Sequence, residues 1–179
     1  MYDNFYELPK DLPVPVDDGN TDHLLGMQVP SIAMMSTANR MVNLADVSER
    51  QRTVVYCYSL AGAPDKELPA GWNEIPGARG CTPQSCAFRD HFSELQALQT
   101  QVFGLSTQTT EYQREFAQRV HLPYELLSDS KLAFAKTLRL PTFEVDSMSS
   151  SKEPPLFFQN AGSLKSSTLF FHPTRMLKK

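Results

Sequence analysis

The sequence predicts an α/β fold in which helices cover a central β-sheet. Residues 53–58 form a near-continuous apolar run, which is typical of a strand that is covered on both faces. Further along the chain, apolar strand-like runs alternate with amphipathic helical patterns, as in βαβ units packed onto a sheet. With 179 residues, 41% of them hydrophobic, the chain is long enough for one domain with a substantial core.

The pattern divides the chain into three parts. Residues 1–20 are rich in proline and aspartate and are expected to form an irregular N-terminal arm. Residues 21–146 form the folded domain, and residues 147–179 form a tail of different composition. At the start of the domain, residues 26–47 hold short alternating apolar runs around a polar turn, which predicts an opening β-hairpin.

The buried strand at residues 53–58 contains Cys57, which is expected to fill space in the core as a small apolar side chain. Residues 60–80 are rich in proline and glycine and predict a loop that leads from this strand to the next helix. Trp72 lies in the loop, where it either lines a pocket or packs structurally.

The helix after this loop carries the most reactive pattern in the chain. Thr82 is a good N-cap, and Pro83 suits the first helical position. Cys81 would then lie at the positive end of the helix, where a thiolate is stabilised and the pKa of a thiol is lowered. Arg79 and Arg89 flank this helix start and act in the same direction. The helix presents a stripe of apolar side chains at Phe88, Phe92, Leu95 and Leu98.

A second cysteine, Cys86, follows five residues after Cys81. Cα atoms at that spacing on a helix lie about 8.5 Å apart, whereas a disulfide needs about 7 Å or less. The two cysteines are therefore either unrelated thiols or a pair that bonds only after the turn unwinds. The second interpretation suits a cycle in which Cys81 is oxidised to a sulfenic acid that Cys86 then attacks.

Three further elements complete the domain. Residues 102–107 predict a strand, and residues 110–121 predict a helix that opens with a capping-box pattern. A short helix is expected at residues 130–138, followed by a last extended run at 140–145. The longer helix has a buried stripe formed by Tyr112, Phe116 and Val120.

Composition excludes several classes of function. A net charge of −3 indicates neither a nucleic-acid nor a membrane-surface partner, and no apolar run is long enough to span a bilayer. The four histidines do not gather at zinc-site spacing, and no glycine-rich phosphate loop is present, so no metal site is expected. Residues 1–10 do not resemble a secretory signal, and three cysteines favour a reducing, cytoplasmic location.

Residues 80–90 read GCTPQSCAFRD, which resembles the active-site helix of peroxiredoxins of the bacterioferritin-comigratory or Q type. The strand run VFGLST at residues 102–107 is similar to that family as well. So is LPYELLSD at residues 122–129, and the resemblance extends over roughly residues 24–145.

The resemblance implies a thioredoxin-like three-layer sandwich with a central mixed sheet. It implies a thiol-dependent peroxidase that reduces hydrogen peroxide or alkyl hydroperoxides, with Cys81 as the peroxidatic and Cys86 as the resolving cysteine. Thioredoxin or a similar dithiol protein would then reduce the intramolecular disulfide. No metal, flavin or haem is needed.

The chain departs from the wider superfamily in the loop before Cys81. The superfamily pattern is Pro-x-x-x-Thr-x-x-Cys, and Glu74 and Ala78 occupy the proline and threonine positions here. The threonine hydroxyl that positions the peroxide is therefore absent, or Thr82 or another group supplies it.

The tail is serine-rich and basic, and it departs from the family pattern more than the loop before Cys81 does. The family pattern places two strands and a helix here, with an arginine beside the peroxidatic cysteine. Residues 152–156 instead read KEPPL, and a proline pair does not suit a central strand, so these elements are expected to be missing or altered. The apolar runs at residues 156–158 and 169–171 could form a substitute hairpin. Substitutes for the arginine are Arg79, Arg89 and Arg139.

A frameshift would account for the altered tail. Back-translated and read one nucleotide earlier, residues 151–155 can encode LKRTT, and residues 165–174 can encode EVFYPVFPPD. Both match the strands that the family would have at these places. The hypothesis is that the tail is a frameshifted form of the family C-terminus.

Two other functions remain open from the sequence. The altered tail suits an inactive or unstable remnant of the fold that acts at most as a binding module. The two thiols also suit a redox sensor whose disulfide changes a partner-binding surface.

Overall fold

The computed structural model describes residues 11–13, 19–64, 66–145, 148–151, 155–159 and 163–166, with side chains up to residue 143. Most of the expected N-terminal arm lies outside these residues. The strands are β1 (Ala33–Ser36), β2 (Met41–Asn43), β3 (Arg52–Cys57), β4 (Thr100–Ser106), β5 (Glu125–Ser128), β6 (Thr142–Val145), β7 (Met148–Ser151), β8 (Pro155–Gln159) and β9 (Ser163–Ser166). The α-helices are α1 (Leu44–Arg50), α2 (Cys81–Asp90), α3 (Phe92–Ala97), α4 (Thr110–Arg119) and α5 (Ala133–Leu138).

Seven strands form a mixed sheet in the order β2-β1-β5-β4-β3-β8-β9. The central strands β3, β4 and β5 are parallel, and the flanking pairs are antiparallel. In β3 every residue after Arg52 is buried, as the apolar run in the sequence predicts. The prediction of a central mixed sheet is confirmed.

The core has one cluster on each face of this sheet, because side chains alternate along β3. Val55 and Cys57 join the first cluster, which includes side chains of α1 and α5. Val54 and Tyr56 join the second, which includes side chains of α2, α3 and α4. The three-layer prediction is therefore confirmed, and Cys57 is fully buried in the core as expected.

The opening hairpin is formed by β1 and β2, with Met34 opposite Val42. The apolar pattern of residues 26–47 does not reveal that Leu44 begins a helix instead of continuing the hairpin. Asn43 ends β2 and caps α1, since its side-chain oxygen accepts a hydrogen bond from the Ala45 amide at 3.1 Å. One polar side chain thus turns the chain from strand to helix.

The tail contributes strands to the sheet. Strand β8 lies antiparallel to β3, and β9 pairs with β8, while β6 and β7 form a separate two-stranded sheet. Pro155 is the first residue of β8, a position where proline is tolerated. The expected hairpin therefore has its first arm near residues 156–158, but its second arm is β9. The run at 169–171 lies outside the described residues.

Candidate active site at the start of helix α2

Helix α2 begins at Cys81, two residues earlier than a cap at Thr82 would place its start. The N-cap is Gly80, whose φ of 115° lies in the left-handed region that glycine adopts without strain. Thr82 is therefore the second helical residue and is buried, and the prediction that it caps the helix is wrong. Pro83 is third, still within the first turn, where amides have no partner in the helix.

The sulfur of Cys81 lies in a buried environment, and the residue is only 2% exposed. The Ser59 hydroxyl approaches this sulfur, with Oγ 3.3 Å from Cys81 Sγ. Ser59 is also buried and follows β3, so the carboxyl end of a central parallel strand brings the hydroxyl to the cysteine. The sequence analysis missed Ser59. The signal was a polar residue just beyond a buried strand, since sites in such sheets lie at the strands' carboxyl ends.

Trp72 holds the loop before α2 in place. Its indole Nε1 donates to the carbonyl of Ala78 at 3.0 Å, and its ring packs against Phe143 with centroids 5.7 Å apart. The same carbonyl lies 3.8 Å from Cys81 Sγ. Trp72 is 3% exposed, so its role is structural packing beneath the site and not the wall of an open pocket.

Cys86 lies on the same helix and is half-buried. The intervening turn is helical, and Cys81 and Cys86 are not joined by a disulfide, as the spacing argument requires. Burial raises the pKa of the Cys86 thiol, and the nearby Arg89 guanidinium opposes this rise. In the folded helix Cys86 is therefore held mainly as the less reactive thiol at neutral pH.

The proposed arginines occupy different surroundings. Arg79 donates to the Asn73 side chain at 2.8 Å, while Arg89 donates to Asp90 at 2.9 Å and to the Val120 carbonyl at 2.8 Å. Arg89 acts on Cys86, whereas Arg139 ends α5 on the opposite face of the sheet. The structure thus brings Thr82 next to Cys81 along the helix and brings Arg89 close to Cys86.

The helix that carries both cysteines is shorter than the apolar stripe predicts. It ends at Asp90, and His91 is the joint to α3. Phe92 and Leu95 of α3 pack against the second cluster, but Leu98 lies beyond α3 and is 60% exposed. The N-cap of α4 also differs from the capping-box prediction, which placed it at Thr110. The side-chain oxygen of Thr109 accepts a hydrogen bond from the Tyr112 amide at 3.4 Å, so Thr109 is the N-cap.

A groove of about 970 Å³ lies away from Cys81. Its lining includes Gln51, Thr100 and Glu125, which stand at the amino ends of the three parallel strands. Ser59 and Cys81 lie at the opposite ends of those strands. This groove is therefore separate from the cysteine site.

Two features are absent from the described part of the chain. None of its helices combines the length and the apolar character that crossing a membrane requires. No three of its His, Cys, Asp or Glu side chains gather as a set of metal ligands.

The pattern of one protein family matches residues 74–174, which is more than half of the chain and includes both cysteines of α2. That family is AhpC/TSA. The chain belongs to it. The match to the AhpC/TSA family also runs through most of the tail, up to residue 174.

Relatives with curated names in the AhpC/TSA family are peroxiredoxins. Peroxiredoxin bcp1 of Schizosaccharomyces pombe is 30% identical over 137 residues, which are 73% of this chain and 63% of the relative. Peroxiredoxin Bcp of Escherichia coli is 33% identical over 100 residues, which are 56% of this chain and 54% of the relative. The chain thus spans about three fifths or less of the length of these relatives. The resemblance to the bacterioferritin-comigratory type is confirmed.

A solved structure shows the same fold. Peroxidoxin BcpB from Mycobacterium tuberculosis superposes with a TM-score of 0.59 at 20% identity, covering 82% of this chain and 87% of the other. At that identity the likeness establishes the fold alone. It supports the thioredoxin-like arrangement derived above from the strand order and the two core clusters.

Proposed function

We propose that the protein is a thiol-dependent peroxidase that reduces hydrogen peroxide or an alkyl hydroperoxide. The observation that carries the proposal is the position of Cys81, which starts a ten-residue helix with the Ser59 hydroxyl 3.3 Å from its sulfur. Helix starts favour anions, and a hydroxyl donor within reach of sulfur does so too. Membership of the AhpC/TSA family and the names of its relatives agree with this chemistry.

The first step oxidises Cys81. Its thiolate attacks one oxygen of the peroxide and the O–O bond breaks, which gives a sulfenic acid on Cys81. The second oxygen leaves with a proton as water or alcohol. Amides at the start of α2, which have no partner within the helix, point toward the position where a peroxide oxygen would be held.

The second step uses Cys86. Its thiolate attacks the Cys81 sulfenic sulfur, an S–S bond forms, and the hydroxyl leaves as water after taking up one proton. Because both cysteines lie in α2, the turn between them has to unwind first. Unwinding also removes the burial that raises the pKa of Cys86.

Thioredoxin or a similar dithiol protein would return the disulfide to two thiols. The cycle as written requires no metal, flavin or haem. A cytoplasmic location belongs to the same proposal, because the cycle needs a dithiol reductant and that compartment supplies one.

The test is peptide mapping after one equivalent of hydrogen peroxide, with the parent, Cys81→Ser and Cys57→Ser compared in the folded state. Cys57 is fully buried in the opposite cluster, so Cys57→Ser is the matched control. We expect a Cys81–Cys86 disulfide in the parent and in Cys57→Ser, and none in Cys81→Ser. Unmodified Cys81 in a folded parent chain would refute the proposal.

Turnover separates the enzyme from the other two functions considered from the sequence. Steady peroxide consumption with thioredoxin and its reductase supports the peroxidase. Oxidation to the disulfide without turnover would favour a redox sensor, and a folded chain that does not oxidise would favour a non-catalytic remnant.

A further inference from the structure

Two buried tyrosines converge on the residue next to Cys86. The Tyr56 hydroxyl donates to Ser85 Oγ at 3.0 Å, and the Tyr124 hydroxyl donates to the Ser85 carbonyl at 2.8 Å. Ser85 Oγ in turn donates to the Cys81 carbonyl at 2.8 Å. The two tyrosine oxygens lie 3.0 Å apart. This group of residues, Tyr56, Ser85 and Tyr124, is called the hydroxyl cluster below.

The hydroxyl cluster joins separate elements to one turn of α2. Tyr56 lies in β3, and Tyr124 immediately precedes β5, so the backbone of α2 is attached to two central strands. Ser85 and Tyr56 are fully buried, and Tyr124 is 8% exposed. Burial raises the pKa of both tyrosines, so both hydroxyls keep their protons and can donate.

Ring packing holds the hydroxyls in place. The Tyr56 ring stacks on Phe88 of α2 with centroids 4.6 Å apart, and the Tyr124 ring contacts Phe92 of α3 at 5.8 Å. Gly104 of β4 makes room for this arrangement, since a Cβ there would lie 2.8 Å from the Tyr56 hydroxyl oxygen. The hydroxyl positions are thus set by the surrounding packing and not by the helix alone.

We propose that the hydroxyl cluster positions the turn between Cys81 and Cys86 and sets the rate at which it unwinds for disulfide formation. Ser85 lies within that turn, so its two bonds to the tyrosines and its bond to Cys81 break when the turn opens. The hydrogen bonds of the hydroxyl cluster go to Ser85 and, through Ser85, to the Cys81 carbonyl, so their effect falls on the resolving step. This inference rests on the proposed function.

The test compares Tyr124→Phe with Tyr112→Phe in the full chain. Tyr124→Phe keeps the ring and removes one hydroxyl from α2. Tyr112→Phe removes an equivalent bond, from the Tyr112 hydroxyl to the Ala61 carbonyl at 3.0 Å, that does not involve α2. Ser85→Ala is a second variant, which removes the hydroxyl on α2 itself and covers the case in which Tyr124→Phe does not fold.

In reduced protein, hydrogen exchange of the α2 amides is expected to be about threefold to tenfold faster in Tyr124→Phe, as the loss of one buried hydrogen bond predicts. After one equivalent of peroxide, disulfide formation should accelerate by a similar factor while sulfenic acid formation keeps its rate. With excess peroxide, less Cys81 should reach the sulfinic acid. A purely structural defect would instead slow both steps.

Unchanged α2 exchange in Tyr124→Phe, or the same change in Tyr112→Phe, would overturn the inference. So would faster exchange with an unchanged rate of disulfide formation. If Cys81 does not react with peroxide, the proposed function fails, and hydroxyethyl disulfide then serves as the oxidant. It forms a mixed disulfide at Cys81 that Cys86 resolves with release of mercaptoethanol, so the effect on the resolving step remains measurable.

Discussion

Ser59 Oγ lies 3.3 Å from Cys81 Sγ, although the two residues are 22 positions apart in the sequence. The contact joins the end of β3 to the start of α2, and both residues are buried. Ala78, which aligns with the family's threonine, has no hydroxyl to offer. Ser59 therefore supplies a hydroxyl at the sulfur from a different place in the chain.

Ser59→Ala is expected to slow the reaction of Cys81 with peroxide by about tenfold to a hundredfold, because a hydrogen bond to a charged group contributes about 1.5–3 kcal/mol. Stopped-flow measurement of sulfenic acid formation checks this. Ser48→Ala is the control, since Ser48 is a buried serine in α1 that donates to the Ala45 carbonyl at 2.9 Å. Equal rates for Ser59→Ala and the parent would show that the contact does not assist the thiolate.

Cys86 should gain reactivity steeply with pH. Burial raises its pKa above the ordinary value of 9.0, so the thiol form dominates below that value and the thiolate fraction grows about tenfold per pH unit. In the Cys81→Ser variant, alkylation of Cys86 by iodoacetamide should rise in this way from pH 7 to 9 without levelling off. A plateau before pH 9 would contradict the raised pKa.

Arg89→Gln should slow the same alkylation at pH 8 by about twofold to fivefold, because the guanidinium lowers the pKa of Cys86. The control is Arg50→Gln, since Arg50 is an exposed residue at the end of α1, which packs on the other face of the sheet. An Arg89→Gln variant that reacts faster than the parent would show that the arginine shields the thiol and does not activate it.

Trp72 should report oxidation of the site. It is the one tryptophan in the sequence, and its indole binds the Ala78 carbonyl, which lies 3.8 Å from Cys81 Sγ. We expect its fluorescence to change after one equivalent of peroxide and to return when dithiothreitol is added. In Cys81→Ser, treated identically, the Trp72 fluorescence should stay constant. The same change in that variant would show that the fluorescence does not report oxidation of Cys81.

Gly104→Ala should destabilise the fold by about 1–3 kcal/mol, because the added methyl group overpacks the core. Its Cβ would lie 2.5 Å from a Leu126 methyl and 2.8 Å from two atoms of Tyr56. Urea unfolding measures the cost. In the double variant Gly104→Ala/Tyr56→Phe, part of the lost free energy of unfolding should be recovered. If the effects of the two substitutions simply add, the clash between the new methyl group and the Tyr56 hydroxyl is not the cause.

Much of the fold follows from sequence pattern. The run at residues 53–58 closely matches β3, the alternation of strands and helices matches the three layers, and the apolar stripe correctly predicted a helix that carries both thiols. These features depend on local periodicity, which the sequence displays directly.

What the sequence did not reveal depends on contacts between distant residues. Ser59 and the hydroxyl cluster meet α2 only because the fold packs this helix on the face of the sheet that carries Tyr56 and Tyr124, near the end of β3. The cap of α2 was assigned to Thr82 because threonine caps well, yet Gly80 adopts a left-handed φ that composition does not show. The break at His91 falls inside an apolar stripe that looks continuous in sequence.

The frameshift of the tail remains a prediction. The nucleotide sequence tests it: a one-base change near the codons for residues 146–149 should restore LKRTT and EVFYPVFPPD in the correct order. If no single-base change there restores both runs, the hypothesis is wrong, and the tail is a native variant of the family C-terminus.

The joint at His91 has a consequence for the energy of the proposed redox cycle. Because α2 ends at Asp90 and α3 begins separately at Phe92, opening of the cysteine turn has a natural stopping point. Phe92 and Leu95 can stay packed on the second cluster while the preceding helix opens. The cycle then involves a small cooperative unit whose opening free energy is a fraction of that of the whole domain. The domain can therefore gain global stability through its core without losing the speed of the redox step.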